Sequence, residues 1–243
     1  MNSYLVTDKG LSRNTNQDDV LSVVKENGDS IYVLCDGMGG HVGGAIACKK
    51  CITTMKKEFE KSKYSDVESA KEWLYKTILK ANKEIISAGR KDERLKGMGT
   101  TVICVLISKQ FKVYASVGDS RLYLYNKKKL TQVSEDQTFA AALYKAGYIN
   151  EKEAKNHPRK SMLLCAVGSA PSNALDVQIG ELSGNNNYLI CSDGLYNMVE
   201  DSEIKKVLEE KLTIKEKADK LVSIANDNGG FDNISIILLE GCL

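Results

Sequence analysis

Proline and histidine are scarce in this 243-residue chain, with two of each. Both prolines, Pro158 and Pro171, fall in one irregular stretch, and no long linker, repeat or low-complexity tract divides the sequence. The two histidines, His41 and His157, stand far apart and form no H-E-x-x-H pattern, which excludes a zinc site of that type. Neither sign of charge is in excess. Lys plus Arg total 34 against 32 for Asp plus Glu, and a net charge of +2 spread along the chain leaves no footprint for nucleic acid or a membrane surface. Long apolar runs are also missing. The stretch Val102–Ile107 ends after six residues, whereas a bilayer span needs roughly 18. The opening MNSYLVTDKG has no basic segment followed by an apolar core. A cytoplasmic protein is expected, with neither nucleic acid nor membrane among its partners.

Seven cysteines are an odd number, and Cys48 and Cys51, three apart on a probable helix, have no second pair with which to build a zinc site. Cys35, Cys104, Cys165 and Cys191 sit inside apolar runs, where a reduced thiol packs as a small hydrophobe.

Apolar and β-branched residues cluster in neighbouring short runs, 20–25 with 30–35 and 101–107 with 111–117, followed by 121–125. The intervening KENGD and SKQ are turn sequences, so hairpins and antiparallel sheets are predicted. Helical spacing appears elsewhere. Val67, Ala70, Leu74, Ile78, Ala81 and Ile85 recur at intervals of three and four, with Ser65 and Glu68 as the expected capping box. A second box, Thr213 with Glu216, opens the stripe Ile214, Ala218, Leu221, Val222 and Ala225. Strands in hairpins and helices in separate blocks predict an α+β fold of two stacked sheets covered by helices, in one domain spanning 1–243.

The segment VLCDGMGGHVGGA, residues 33–45, sets an aspartate at the end of an apolar run and then places five glycines among residues 37–44. The pattern recurs. IYVLC leads to Asp36-Gly37 and NYLICS to Asp193-Gly194, while Asp232 precedes the predicted strand 234–239 and Asp119 lies in VGDSR, read as the turn of a hairpin. A lone Asp-Gly is ordinarily a β-turn. Several at strand ends would bring carboxylates together at one sheet edge, where they repel unless a cation neutralises them. All-oxygen ligation suits Mg²⁺ or Mn²⁺. Gly37 beside Asp36 would let a backbone carbonyl approach the ion, and the following glycines permit a tight turn into a helix. Neither G-x-G-x-x-G nor G-x-x-x-x-G-K-[ST] is present, which disfavours a nucleotide-binding loop.

The ordered motifs GLSRNTNQD, DGMGGH, MGTT, VGDSRLYLY, CSDGL and GGFDNIS resemble those of the metal-dependent type 2C (PPM) protein serine/threonine phosphatases, in their short bacterial form. The resemblance covers residues 8–239. It implies an α-β-β-α sandwich of two antiparallel sheets flanked by helices, and hydrolysis of phosphoserine and phosphothreonine by a water activated between two ions, without a phosphoenzyme. By the same resemblance Asp36 bridges both ions, Gly37 gives its carbonyl to one, and Asp193 and Asp232 bind the other. Asp119 corresponds to a ligand of a third, weaker ion. Asp18 sits close by and acts through waters, and Arg13 grips the phosphoryl group, as its planar fork allows. His41 is a candidate proton donor to the leaving oxygen; a water is the alternative donor, and orienting the glycine turn the alternative role. Residues 139–174 match a flap beside the site. The chain departs from the family pattern at Gly44-Ala45 and at Asp136-Gln137-Thr138, where local packing or substrate fit should differ. A monomer acting on phosphoproteins made by a serine/threonine kinase is expected. Two other readings are a catalytically weak relative that binds phosphoproteins, which should have lost a metal-binding aspartate, and a metal-dependent phosphodiesterase, which should show a basic groove.

Overall fold

The computed structural model describes residues 2–126, 129–169, 171–184 and 186–242, the side chains of His41 and Cys242 lying outside the described residues. The chain opens with β1 (Asn2–Asp8), β2 (Asp19–Val24), β3 (Ser30–Cys35) and the short β4 (Gly37–Met38), then two long helices, α1 (Gly40–Lys61) and α2 (Val67–Lys91). Next come β5 (Gly99–Thr100), β6 (Val102–Ile107), β7 (Lys112–Val117), β8 (Arg121–Asn126) and β9 (Lys129–Gln132), followed by the small helices α3 (Phe139–Lys145) and α4 (Glu151–Lys155). The remainder is β10 (Gln178–Glu181), β11 (Asn186–Cys191), α5 (Asp193–Tyr196), α6 (Asp201–Glu209), α7 (Ile214–Asp227) and β12 (Ile234–Cys242).

Two five-stranded sheets run in the orders β1-β12-β11-β8-β9 and β10-β7-β6-β3-β2, and β4 pairs with β5 in a small third sheet. Every strand pairing is antiparallel. The alternation of a pleated strand then divides the core into layers. On β3 and β6, Ile31, Val33, Cys35, Val102, Cys104 and Leu106 face α1 and α2. Their neighbours Tyr32, Leu34, Ile103 and Val105 pack instead with Leu122, Tyr188, Ile190 and Ile237 of the other sheet. The outer face of that second sheet packs Leu189, Cys191, Ile236 and Leu238 against Ile204, Leu221 and Ala225 of α6 and α7. The molecule is thus an α-β-β-α sandwich, as expected, and both faces of β3 and β6 are dry. Their sequences are accordingly unbroken apolar runs rather than alternating ones.

Thr213 and Glu216 form the expected box at the start of α7. The box of α2 falls one residue later than the sequence suggests. Asp66 accepts from the Ser69 amide and the Ser69 hydroxyl reciprocates, while Ser65 Oγ donates to Asp66 Oδ2 and Glu68 pairs with Lys71. A carboxylate is the stronger acceptor for helix N-terminal amides, so it takes the cap from the hydroxyl beside it. The hairpins β2-β3 and β6-β7 form across 25–29 and 108–111. A third expected hairpin does not. Because β7 and β8 belong to different sheets, Asp119 lies in the crossover between them and not in a hairpin turn. The β1 strand, half-exposed at a sheet edge and lacking a clear apolar pattern, is an addition to the sequence reading.

Leu34 is fully buried between the sheets. Leu34→Ala should lower the free energy of unfolding by about 2–5 kcal/mol through lost transfer and a residual cavity. Urea denaturation measures it, and a loss below about 1 kcal/mol would mean that this layer is not close-packed.

Candidate active site

Asp36 leaves β3 at the mouth of the sandwich, and the junction of β5 and β6 fixes its backbone. Its amide donates to Thr101 Oγ1 at 3.0 Å, and its carbonyl accepts from the Thr101 amide at 2.8 Å and from Thr100 Oγ1 at 2.9 Å. Thr101 Oγ1 also lies 2.7 Å from Ser120 Oγ, which ties this junction to the crossover that carries Asp119. Asp193 begins α5 immediately after β11, and Asn197 Nδ2 donates to its Oδ2 at 3.1 Å. Ser192 Oγ accepts from the Ser235 amide at 2.9 Å, so the end of β11 is fastened to β12, in front of which Asp232 stands. Strand order therefore does what the sequence pattern promised for Asp36, Asp119, Asp193 and Asp232: it brings them to one end of the sheets, where Asp18, placed there by the family resemblance, joins them.

The carboxylates feel one another. Burial raises the pKa of Asp36 well above its ordinary value, and repulsion from Asp18, Asp193 and Asp119 adds to this. Burial, then Asp119, Asp232 and Asp18, push Asp193 up to about 8, with Arg13 opposing. Asp18 rises to about 6 by burial, although the hydroxyls of Ser235 and Ser192 partly stabilise its charge. Asp119 also rises to about 6 by burial, with Asp136 repelling and Tyr196 and Arg121 countering. Arg13 stands at the rim, 55% exposed, and its Nη2 donates to Asp232 Oδ2 at 2.7 Å.

Among the described residues, no three carboxylate, thiol or imidazole side chains are gathered tightly enough to enclose an ion. The donor set nevertheless fits a hard divalent cation. The atoms facing the site are carboxylate oxygens in low-dielectric surroundings, and Asp18 Oδ2 is buried without a hydrogen-bond partner. Gly37 and Gly44 form a cradle in which a Cβ has no room. One on Gly37 would lie 2.5 Å from the Gly44 carbonyl group, and one on Gly44 would lie 2.6 Å from the Gly37 carbonyl carbon. The glycine cluster thus lets the first turns of α1 lie backbone to backbone against the residue after Asp36. His41 is the second residue of α1, and its side chain lies outside the described residues.

Several contributors carry no obvious sequence signal. Arg121 donates from Nε to both carboxylate oxygens of Asp136 at 3.0 and 3.1 Å, and its Nη2 lies 2.7 Å from Asp136 Oδ2. Its guanidinium stacks 3.6 Å above the Tyr196 ring, and the Tyr196 hydroxyl donates to the Asp119 carbonyl at 3.1 Å. Gln137 Oε1 accepts from the Gly118 amide at 2.7 Å, and Thr138 caps α3. The departing segment 136–138 thus packs beside the crossover that carries Asp119. At the other departure Ala45 is exposed on α1. Within 139–174, Val167 pairs with Thr100, so the end of that segment is fastened to the junction that holds Asp36. The hydroxyls flanking the aspartates, Thr101, Ser120, Ser192 and Ser235, were visible in the motifs, but which backbone groups they would meet depends on the sheet crossover.

Residues 11–230 match the family described as protein phosphatase 2C. The chain is 36% identical to the serine/threonine phosphatase stp of Listeria monocytogenes over 99% of its own length and 96% of that protein. It is 33% identical to the protein phosphatase PhpP of Streptococcus pneumoniae, covering 99% and 97%. The serine/threonine phosphatase structure from S. agalactiae superposes with a TM-score of 0.91 at 32% identity, with 99% of each chain covered. The chain belongs to the protein phosphatase 2C family, whose members generally depend on metal ions, and it is a protein serine/threonine phosphatase.

Gly44→Ala tests the cradle. The added methyl group would clash with both the Gln17 side chain and the Gly37 backbone, so phosphatase turnover should fall at least about tenfold, as expected for a sub-ångström shift of a reacting group. Circular dichroism should stay that of the folded protein. Wild-type turnover would show that the Gly37–Gly44 contact does not set the position of Asp36.

Proposed function

We propose that this chain removes phosphate from phosphoserine and phosphothreonine in proteins at the aspartate cluster, loaded with two Mn²⁺ or Mg²⁺ ions. The observation that carries the reading is the convergence of Asp18, Asp36, Asp119 and Asp193, each with its charged form penalised by burial and by its neighbours, beside the rim arginine Arg13. Such a cluster is costly to fold and is useful once cations arrive. Asp36 and the Gly37 carbonyl, with Asp193 and Asp232, would hold the two ions, Asp119 would contribute to a third, and Asp18 would support them through waters. Bound there, the ions would supply charge neutralisation and activation of a water for attack on phosphorus.

The chain's own residues supply the remainder. Arg13 projects from an exposed loop and presents a planar fork to the phosphoryl oxygens. The Asp36 carbonyl is held by two threonines, so the backbone that carries its carboxylate has little freedom to shift as charge develops. His41, at the first turn of α1, is the candidate donor of a proton to the leaving serine or threonine oxygen. The near-neutral charge favours a phosphoprotein over a nucleic acid substrate. A cytoplasmic monomer with one catalytic domain, a flap at 139–174 and substrates made by a serine/threonine kinase complete the proposal.

Release of phosphate from a phosphothreonine peptide should require Mn²⁺ or Mg²⁺ and stop reversibly on chelation. Asp36→Ala and Asp193→Ala should each retain the fold and lose turnover by at least about two orders of magnitude. Wild-type rates in either variant at saturating Mn²⁺, or turnover that survives thorough chelation, would overturn the proposal.

A further inference from the structure

Arg13 lies in the middle of the loop 9–17, whose residues 11–15 are all exposed. An exposed loop of this length is expected to sample many conformations, and ordering it costs backbone entropy. A group that grips phosphate must nonetheless be held within a fraction of an ångström of its working position. The loop needs a fastening, and one buried side chain provides it.

Asn233, 5% exposed, stands between Asp232 and β12. Its Nδ2 donates to the Lys9 carbonyl at 2.8 Å and to the Thr15 carbonyl at 3.0 Å, while its Oδ1 accepts from the Gln17 amide at 2.8 Å. One carboxamide thus gathers the beginning and the end of the Arg13 loop. Only an amide fits, because the site demands two donors and one acceptor from a short, planar side chain. The opposite orientation would set its oxygen against two carbonyls and its NH₂ against an N–H.

The same residue reaches the carboxylates. Its amide donates to Asp232 Oδ1 at 2.9 Å, and its carbonyl lies where a Cβ on Gly194, next to Asp193, would collide. A second fastening holds the near half of the loop: the Leu11 and Ser12 amides both donate to the Gly230 carbonyl, at 2.9 and 3.0 Å. Gly10 permits that approach, since a Cβ there would strike the Asp232 carbonyl oxygen. The far half, from Arg13 to Gln17, returns to β12 through Asn233.

We infer that Asn233 is a positioning residue, which acts through Arg13 by closing the loop 9–17 onto the segment that carries Asp232. The inference rests on the reading of Arg13 as the phosphate-gripping group.

A double-mutant cycle tests it, with kcat and KM measured on a phosphothreonine peptide. Asn233→Ala should raise KM about tenfold, the scale of one lost charge-assisted hydrogen bond, and change kcat by less than about threefold. In an Arg13→Ala background the same change should alter KM by less than about twofold, because the residue through which it acts is gone. Hydrogen exchange at the Gln17 amide should speed up in Asn233→Ala while β12 amides keep their protection. Calorimetric titration with Mn²⁺ should give wild-type stoichiometry. Should Asn233→Ala fail to fold, Asn233→Ser, which keeps one short donor, replaces it in the cycle with a smaller rise in KM. Wild-type KM in Arg13→Ala would overturn the reading of Arg13 and this inference with it. A normal Arg13→Ala effect with additive KM increases in the double variant, or unchanged exchange at Gln17, would overturn the inference alone.

Discussion

The repulsion among carboxylates at the mouth of the sandwich governs much of the surrounding design. Burial raises the cost of ionising Asp36, Asp119 and Asp193, and neighbouring carboxylates add to it: Asp18, Asp193 and Asp119 at Asp36, Asp119, Asp232 and Asp18 at Asp193, and Asp136 at Asp119. A free chain would relieve such repulsion by rotating side chains or letting loops drift. Here each aspartate follows or precedes a strand buried in the core, and neighbouring hydrogen bonds remove the slack. Thr100 and Thr101 clamp the Asp36 backbone, Ser192 ties β11 to β12 in front of Asp193, and the Tyr196 hydroxyl holds the Asp119 carbonyl. The hydrophobic layers stabilise the sheets, and the sheets hold in place an arrangement of charge that would otherwise disperse.

Much of this was legible in the sequence because the informative features are local. An apolar run followed by Asp-Gly shows both a strand and a carboxylate at its end, and recurrence of the pattern points to convergence without any knowledge of topology. Turn chemistry likewise located the hairpins β2-β3 and β6-β7. What local pattern could not reveal was partnership. The sequence around Asp119 is that of a turn, and nothing in it distinguishes a hairpin from a crossover between sheets. The half-exposed edge strand β1 has no clear apolar pattern, and at the start of α2 two adjacent cap residues, Ser65 and Asp66, differ only in acceptor strength. Asn233 shows the limit most sharply, since its three partners lie more than 200 residues away in sequence.

The ion pair of Arg13 with Asp232 joins the proposed phosphate-gripping group to a proposed cation ligand. It leaves the arginine more than half exposed, so its net contribution to stability is small. Its significance is positional. Together with the loop closure by Asn233, it brings a cation to the edge of an acidic cluster. Under the proposed function, a phosphoryl group arriving there would meet a guanidinium instead of a bare field of negative charge.

The central claim is that the aspartates are placed for binding cations at the expense of the fold. Thermal unfolding in EDTA, comparing the wild type with Asp193→Asn, measures this most directly. The carboxyl of Asp193 has its pKa raised from 3.8 to about 8. Its charge therefore destabilises the folded state fully above that value, and the penalty fades as pH falls toward the unfolded value. At pH 9 without metal, Asp193→Asn should melt higher than the wild type, by about 2–4 °C for each kcal/mol of repulsion relieved. Added Mn²⁺ should stabilise the wild type more than the variant, which keeps the proposed ligands of only one ion intact. An Asp193→Asn protein that melts at or below the wild-type temperature in EDTA would contradict the account.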